Sequence, residues 1–250
     1  MNSRITTLLL ILMVAIAAPS AYAQFEGQIT YEHYHLNASN GNKTDDGHMN
    51  LYITPNRILV NDLDNYSMGP IQSKGVLIRL DSKDFVFLTG DNQALQISKA
   101  QVVSMYNMMQ GMSGSNGNNY HKPNIDVIET GEHKTIDGYK CRKVTVKDNE
   151  NPNEQTDLWL TEDLDINWGM LTQPWSAGNQ SLFPGSLPLQ KLLSKGSLPL
   201  KVEHFVDGKL SDVIETSNIN KNQVARAMVQ IPAGVEVLSF QDYLMRQMSQ

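Results

Sequence analysis

Apolar and polar positions alternate from Phe25 onward, with Phe25, Gly27, Ile29 and Tyr31 on one side and Glu26, Gln28, Thr30 and Glu32 on the other. A period of two marks a half-buried strand and predicts one over Phe25–His35. A polar loop rich in Asn, Gly and Asp (Asn37 to Gly47) then returns to a second alternating segment, Met49–Ile53. Further strands are predicted at Arg57–Asp62, Val76–Leu80, Asp84–Leu88 and Ala94–Ile97, separated by Pro-Asn, Ser-Lys and Gly-Asp-Asn turn signals. After a break come Ile125–Glu129, Tyr139–Val146 and Asp157–Thr161. The last pair, Leu200–Val206 and Lys209–Ile219, flanks Asp207-Gly208, a strong two-residue hairpin signal. Short strands in succession with tight returns predict an antiparallel meander rather than βαβ units.

Helical spacing is rarer. Val102, Val103, Tyr106 and Met109 predict a helix within Ser98–Gln110, and a second is expected over Ser186–Ser194. A third closes the chain from Ser239 to Met248, where Phe240, Tyr243, Leu244 and Met248 form one stripe. Within Tyr139–Val146, Tyr139 and Cys141 share a face while Val144 and Val146 take the other. That switch of parity predicts either a bulge or a strand buried differently at its two ends. The neighbouring Lys140, Arg142 and Lys143 read as a charged, solvated sheet edge that discourages edge-to-edge pairing.

The first 23 residues belong to a different pattern. Arg4 gives a positive start, Leu8 to Ala18 is an unbroken apolar run, and Ala21-Tyr22-Ala23 is a small-x-small site. These three parts predict a secretory signal peptide cleaved after Ala23, with an apolar stretch too short to span a bilayer. The remaining residues, 24–250, are expected to form one domain in the periplasm or outside the cell, with no transmembrane segment.

Charge and cysteine content narrow the classes. The chain has 20 basic and 26 acidic residues, and the leader removes only Arg4 from that balance. An acidic chain argues against nucleic acid and against attraction to an anionic membrane surface, which both require a basic footprint. Cys141 is the only cysteine, so no intramolecular disulfide forms, and a buried small hydrophobe is its expected role.

The segment TGEHKTIDGYKCRKVTV (Thr130–Val146), followed by LWLTEDLDI (Leu158–Ile166) and preceded by the Phe25-Glu26-Gly27 opening, resembles a family of secreted bacterial proteins known only as a domain of unknown function. Gly196-Ser-Leu-Pro-Leu200, leading into a late strand, is similar to that family too. The family in turn resembles the periplasmic lipoprotein carriers, in which a strongly curved antiparallel sheet wraps apolar helices. The resemblance implies an open half-barrel with a hydrophobic concavity; it transfers no function, because fold alone does not.

Motifs for covalent chemistry are missing. Gly111-Met-Ser113-Gly-Ser115 fails the nucleophile-elbow pattern at its last position, and no zincin, phosphate-loop or dinucleotide fingerprint occurs. The expectation is therefore a non-enzyme without cofactor. Met105, Met108, Met109 and Met112 fall on one helical face, a polarizable stripe suited to an adaptable apolar surface or, as an alternative, to Cu(I). Trp168 to Phe183 places Trp168, Met170, Trp175 and Phe183 among Gly and Pro, aromatic surface that must pack on something.

These patterns predict a mainly β, α+β protein: a curved antiparallel sheet with two or three helices on its concave face. The expected function is binding of a lipid, acyl chain or other hydrophobic small molecule. Met105, Met108, Met109, Met112, Trp175 and Phe183 would line the site, and Arg57 would meet a polar head group. The alternatives are an interaction module for another envelope protein, with a filled core, or a metal-handling protein using the methionines or His33, His35 and His48.

Overall fold

The computed structural model of the chain describes residues 24–37, 40–68, 71–90, 92–102, 104, 124–169 and 187–248. Twelve strands form one sheet: β1 (Gly27–Leu36), β2 (Lys43–Thr54), β3 (Arg57–Met68), β4 (Ile71–Arg79), β5 (Asp84–Gly90), β6 (Gln93–Ser98), β7 (Ile125–Ile136), β8 (Tyr139–Asp148), β9 (Glu154–Thr161), β10 (Leu198–Val206), β11 (Lys209–Asn220) and β12 (Glu236–Ser239). Their spatial order is β12-β6-β5-β4-β3-β2-β1-β11-β10-β9-β8-β7. Every pairing is antiparallel except β12 on β6. The sheet is curved and open, ending at β12 and β7.

The order shows two meanders joined back to back. One runs outward from β1 to β6; the other starts at the far edge with β7 and walks inward to β11. Among the described residues, the single strand pairing between them is β1 with β11. The tight turns carry the backbone that their residues permit. Asp137 and Gly138 both have positive φ (50° and 83°), as do Asp207 and Gly208 (50° and 73°), the mirror-image turn that matches strand twist. Register slips at Thr30/Tyr31, His33/Tyr34, Glu129/His133, Pro199/Lys201 and His204/Phe205 add the local bends that turn a flat sheet into a trough.

One face of the sheet carries the main core. Ile29, Tyr31, Leu51, Ile53, Ile58, Val60, Ile78, Phe87, Leu95, Val144, Leu158, Leu160, Val202 and Ile214 belong to a single buried cluster that reaches from β6 to β8, with Ile125 and Val127 of β7 packed against it. Helix α1 (Leu189–Leu192) and helix α2 (Phe240–Met248) lie against this cluster through Leu189, Leu192, Phe240 and Tyr243. Ser239 caps α2, its hydroxyl accepting from the Asp242 backbone N–H and donating to the Asp242 carboxylate.

The opposite face carries its own cover over β2–β6. There Leu59, Leu77, Val86 and Ala94 form a second cluster, packed under Val224 and under Val229 of a 3-10 helix (Arg226–Val229). Strands β3 to β6 are thus apolar on both faces, which explains runs such as Ile58-Leu-Val60 and Val76-Leu-Ile78 that do not alternate.

The charged patch on β8 is not an edge. Strand β8 pairs with β7 on one side and β9 on the other, so the edge assigned to Lys140, Arg142 and Lys143 belongs to β7 instead. Arg142 Nη1 lies 2.6 and 2.7 Å from the two carboxylate oxygens of Glu129, and Lys143 Nζ is 3.0 Å from Asp157. The cations bind neighbouring strands rather than repelling foreign ones. Strand β8 keeps a continuous register with β9, so its change of parity is a strand buried differently at its two ends; the bulge itself sits on β7.

Candidate functional site

The concave face begins with side chains fixed by register. Across β8, β9, β10, β11 and β1, Val144, Leu158, Val202, Ile214 and His33 stand opposite one another in one row. The next row toward the β10–β11 turn is Val146, Thr156, His204, Asp212 and His35. The first row is apolar up to β1, and the second turns polar after Val146. The apolar floor therefore ends in a polar rim.

Within that rim, Thr156 Oγ1 and His204 Nδ1 are 3.0 Å apart and buried. His35 Nδ1 is 2.9 Å from Asp212 Oδ1, and the Ser211 hydroxyl donates to Asp212 Oδ2 at 2.5 Å. The hydrogen bond to Asp212 raises the His35 pKa above its ordinary value. Burial alone would raise the Asp212 pKa, but hydrogen bonds from His35 and Ser211 and the charge of His35 outweigh it, and the carboxyl is held below its usual range.

At the other end of the same floor, the Trp168 indole N–H donates to the Ser197 carbonyl oxygen at 2.8 Å. The Ser197 hydroxyl is buried and makes no hydrogen bond among the described residues, a donor and acceptor set into the apolar lining.

Both expected covers start from this face. Residues 99–102 are helical, and Ser98 and Gln101 cap the start reciprocally, with the Gln101 N–H donating to Ser98 Oγ and the Ser98 N–H to Gln101 Oε1. Val102 sits in the main core. Trp168, which opens the aromatic segment, is buried in the same cluster. Met105, Met108, Met109, Met112, Trp175 and Phe183 themselves lie outside the described residues.

Arg57 is elsewhere. It shares the face of Leu59, opposite the main core, where its Nη2 pairs with Asp81 at 2.9 Å and its Nη1 donates to the Val229 carbonyl at 3.2 Å. Its guanidinium anchors the 3-10 helix on the face opposite the main core, away from the side on which a head group was expected.

The three histidines do not converge. His48 approaches Asp62 at 4.0 Å, whereas His33 and His35 each contact a carboxylate. Among the described residues no group of three His, Cys, Asp or Glu side chains is arranged to hold a metal ion. Cys141 is free and buried, and burial pushes its thiol pKa up.

Sequence reasoning missed Asp212, His204, Thr156 and Ser197. The signal for the first two was present: Leu200, Val202 and His204 continue one parity, as do Asp212, Ile214 and Thr216. A polar residue on the inward parity of a strand end marks a rim.

The family described as "Domain of unknown function (DUF4412)" matches residues 72–235, from β4 past the 3-10 helix. The chain is a DUF4412 protein. No curated protein matches it. Solved structures similar to this DUF4412 chain include PNGF-II, at 14% identity over 90% of this chain and 33% of that one, with a TM-score of 0.47. The Pseudomonas aeruginosa MucA/MucB complex is similar at 15% identity, covering 87% of this chain and 59% of that one, with a TM-score of 0.42. An uncharacterized conserved protein from Thermus thermophilus is similar at 9% identity, covering 86% and 91%, with a TM-score of 0.39. The chain spans about a third of the PNGF-II chain. Likeness at this level transfers no chemistry. Among the described residues no helix is long and apolar enough to cross a membrane.

Proposed function

We propose that this DUF4412 protein is a non-catalytic periplasmic binding protein that holds a hydrophobic or amphiphilic molecule, such as an acyl chain, against the concave face of its sheet. One observation carries the reading: a single apolar cluster spans that face from β6 to β8 and extends onto β7, while the sheet stays open. A continuous apolar floor with a few isolated polar groups at its margins is the composition of a small-molecule site. The Ser197 hydroxyl at one end and the Thr156–His204–Asp212–His35 row at the other give such a ligand something to hydrogen-bond. Met105, Met108, Met109, Met112, Trp175 and Phe183 are proposed to cover it.

Native mass spectrometry of protein purified gently from the periplasm, followed by organic extraction, tests the reading. A discrete added mass released as lipid supports it. A bare polypeptide that takes up no added fatty acid or phospholipid overturns it.

A second reading, an interaction module for another envelope protein, is favoured by strand β7. This twelve-residue strand ends the sheet, and its outer edge has no partner strand among the described residues. Such an edge accepts an added strand. Crosslinking from β7 positions in intact cells separates the two readings, since a specific protein adduct there without bound lipid favours the module.

A further inference from the structure

Four side chains from three strands form an alternating series of carboxylates and imidazoles at the polar rim. His33 Nδ1 on β1 lies 3.0 Å from Asp46 Oδ2 on β2. His33 Nε2 lies 3.7 Å from Asp212 Oδ1 on β11, and that same oxygen is 2.9 Å from His35 Nδ1. His33 Nε2 is shielded from solvent and makes no hydrogen bond among the described residues.

A neutral imidazole has one N–H and one bare nitrogen. With its N–H given to Asp46, His33 turns a lone pair toward a carboxylate oxygen, an unsatisfied and repulsive contact. One further proton reverses the sign of that contact. Both ring nitrogens then carry N–H groups, Nδ1 donating to Asp46 and Nε2 facing the Asp212 carboxylate as an ion pair at 3.7 Å.

We propose that Asp46, His33, Asp212 and His35 form a proton-operated clasp that fastens the β1–β2 hairpin to β11 at the rim of the concave face, and that slackens as His35 loses its proton. The clasp rests on these four residues alone and holds whether or not a lipid binds.

The surrounding charges allow it. From β2, Asp45 and Lys43 stand opposite Tyr34 and Leu36, but Asp45 accepts from the Gly47 backbone N–H and Lys43 lies over the Tyr34 ring, 3.9 Å from its centroid. From β10, His204 faces Asp212 and is engaged with Thr156. Glu32, on β1 itself, pairs in register with His48 and Glu215. Among the described residues no lysine or arginine forms an ion pair with Asp46 or Asp212.

The direction of the pH effect follows. The His35 pKa is raised in the fold by its hydrogen bond to Asp212, so its contribution is complete below its ordinary value of 6.5 and is lost as pH rises through the raised value. The Asp212 pKa is lowered in the fold, so its contribution is complete above its ordinary value of 3.8 and is lost on further acidification. The clasp is tightest between those limits.

The test compares residues 24–250 as wild type, D212N and H33Q/H35Q by thermal melting at pH 5.5 and 8.5, with 15N-histidine NMR on the wild type. The wild type is expected to melt about 2 °C or more higher at pH 5.5 than at 8.5, a shift typical of one modest interaction in a domain of this size. Both variants are expected to lose most of that difference. The His35 imidazole should take up its proton above the ordinary value of 6.5, as its hydrogen bond to Asp212 requires. Equal pH dependence in all three proteins overturns the proposal. So does a His35 imidazole that titrates at or below its ordinary value, a result that requires no variant to fold.

Discussion

The Tyr31 hydroxyl on β1 donates to the Pro199 carbonyl oxygen on β10 at 2.9 Å, reaching across β11 between them. Pro199 marks a slip in the β10–β9 register, where ladder bonding falters, and Tyr31 supplies the donor. Burial drives the phenol pKa far upward, so the group stays protonated and donating. Tyr31→Phe keeps the ring and leaves a buried carbonyl short of a partner. It should cost about 1–2 kcal/mol in urea unfolding; an unchanged midpoint would show that the bond contributes nothing.

Asp84 and Arg79 should prove more sensitive. Arg79 meets both Asp84 oxygens, at 2.7 and 2.5 Å, and Gln96 adds a third donor at 2.7 Å, with the Asp84 side chain only 5% exposed. Arg79→Met strands a buried carboxylate, for an expected loss of about 3 kcal/mol. Adding Asp84→Asn should restore much of it, a coupling that a double-mutant cycle measures directly.

Much of this architecture was legible in the sequence, because half-buried strands print their alternation and tight turns print Asp-Gly. All eleven predicted strands are present, most of them longer than predicted. β2 begins at Lys43, inside what reads as a loop, since an exposed hairpin end carries no apolar marker. The strand β12, Glu236–Ser239, was invisible: four residues added parallel to β6 bury only Leu238 deeply. The closing helix was read from its stripe, whereas the 3-10 helix has too few residues to show a period. For the site, the apolar floor could be read and the rim could not. Asp212 and His35 are 177 positions apart, and only the β1–β11 pairing brings them together.

Gly27 is where that pairing leaves no room. A methyl group there would stand 2.2 Å from the Asn220 carbonyl oxygen and 2.8 Å from the Phe25 ring. The first obstacle is backbone and cannot swing aside. Gly27→Ala should destabilise the fold by about 1–3 kcal/mol, read as a lower urea midpoint; a wild-type midpoint would mean that β1 and β11 separate more easily than their register suggests.

Arg57→Ala separates the two faces of the sheet. Its partly exposed ion pair with Asp81 is worth little, about 1 kcal/mol or less, and its bond to the Val229 carbonyl holds only the 3-10 helix. A modest drop in stability is expected, with lipid uptake unchanged. Loss of uptake at unchanged stability would return Arg57 to the ligand.

Cys141 should be inert while the protein is folded. Burial raises the thiol pKa and thus suppresses the reactive thiolate. At pH 8 an aromatic disulfide reagent should modify it only slowly, and rapidly once urea unfolds the chain. Prompt modification of the native protein would show that the strands β8 and β9 open there.

The seam between β1 and β11 also has a consequence for assembly. Each meander is built from neighbours in sequence, and so forms quickly, whereas β1 and β11 meet only after a loop of nearly the whole chain has closed. Two half-sheets that zip along one line need not be one molecule to do so. Severed between β6 and β7, the halves should find each other and rebuild the trough from separate polypeptides, as a split reporter does.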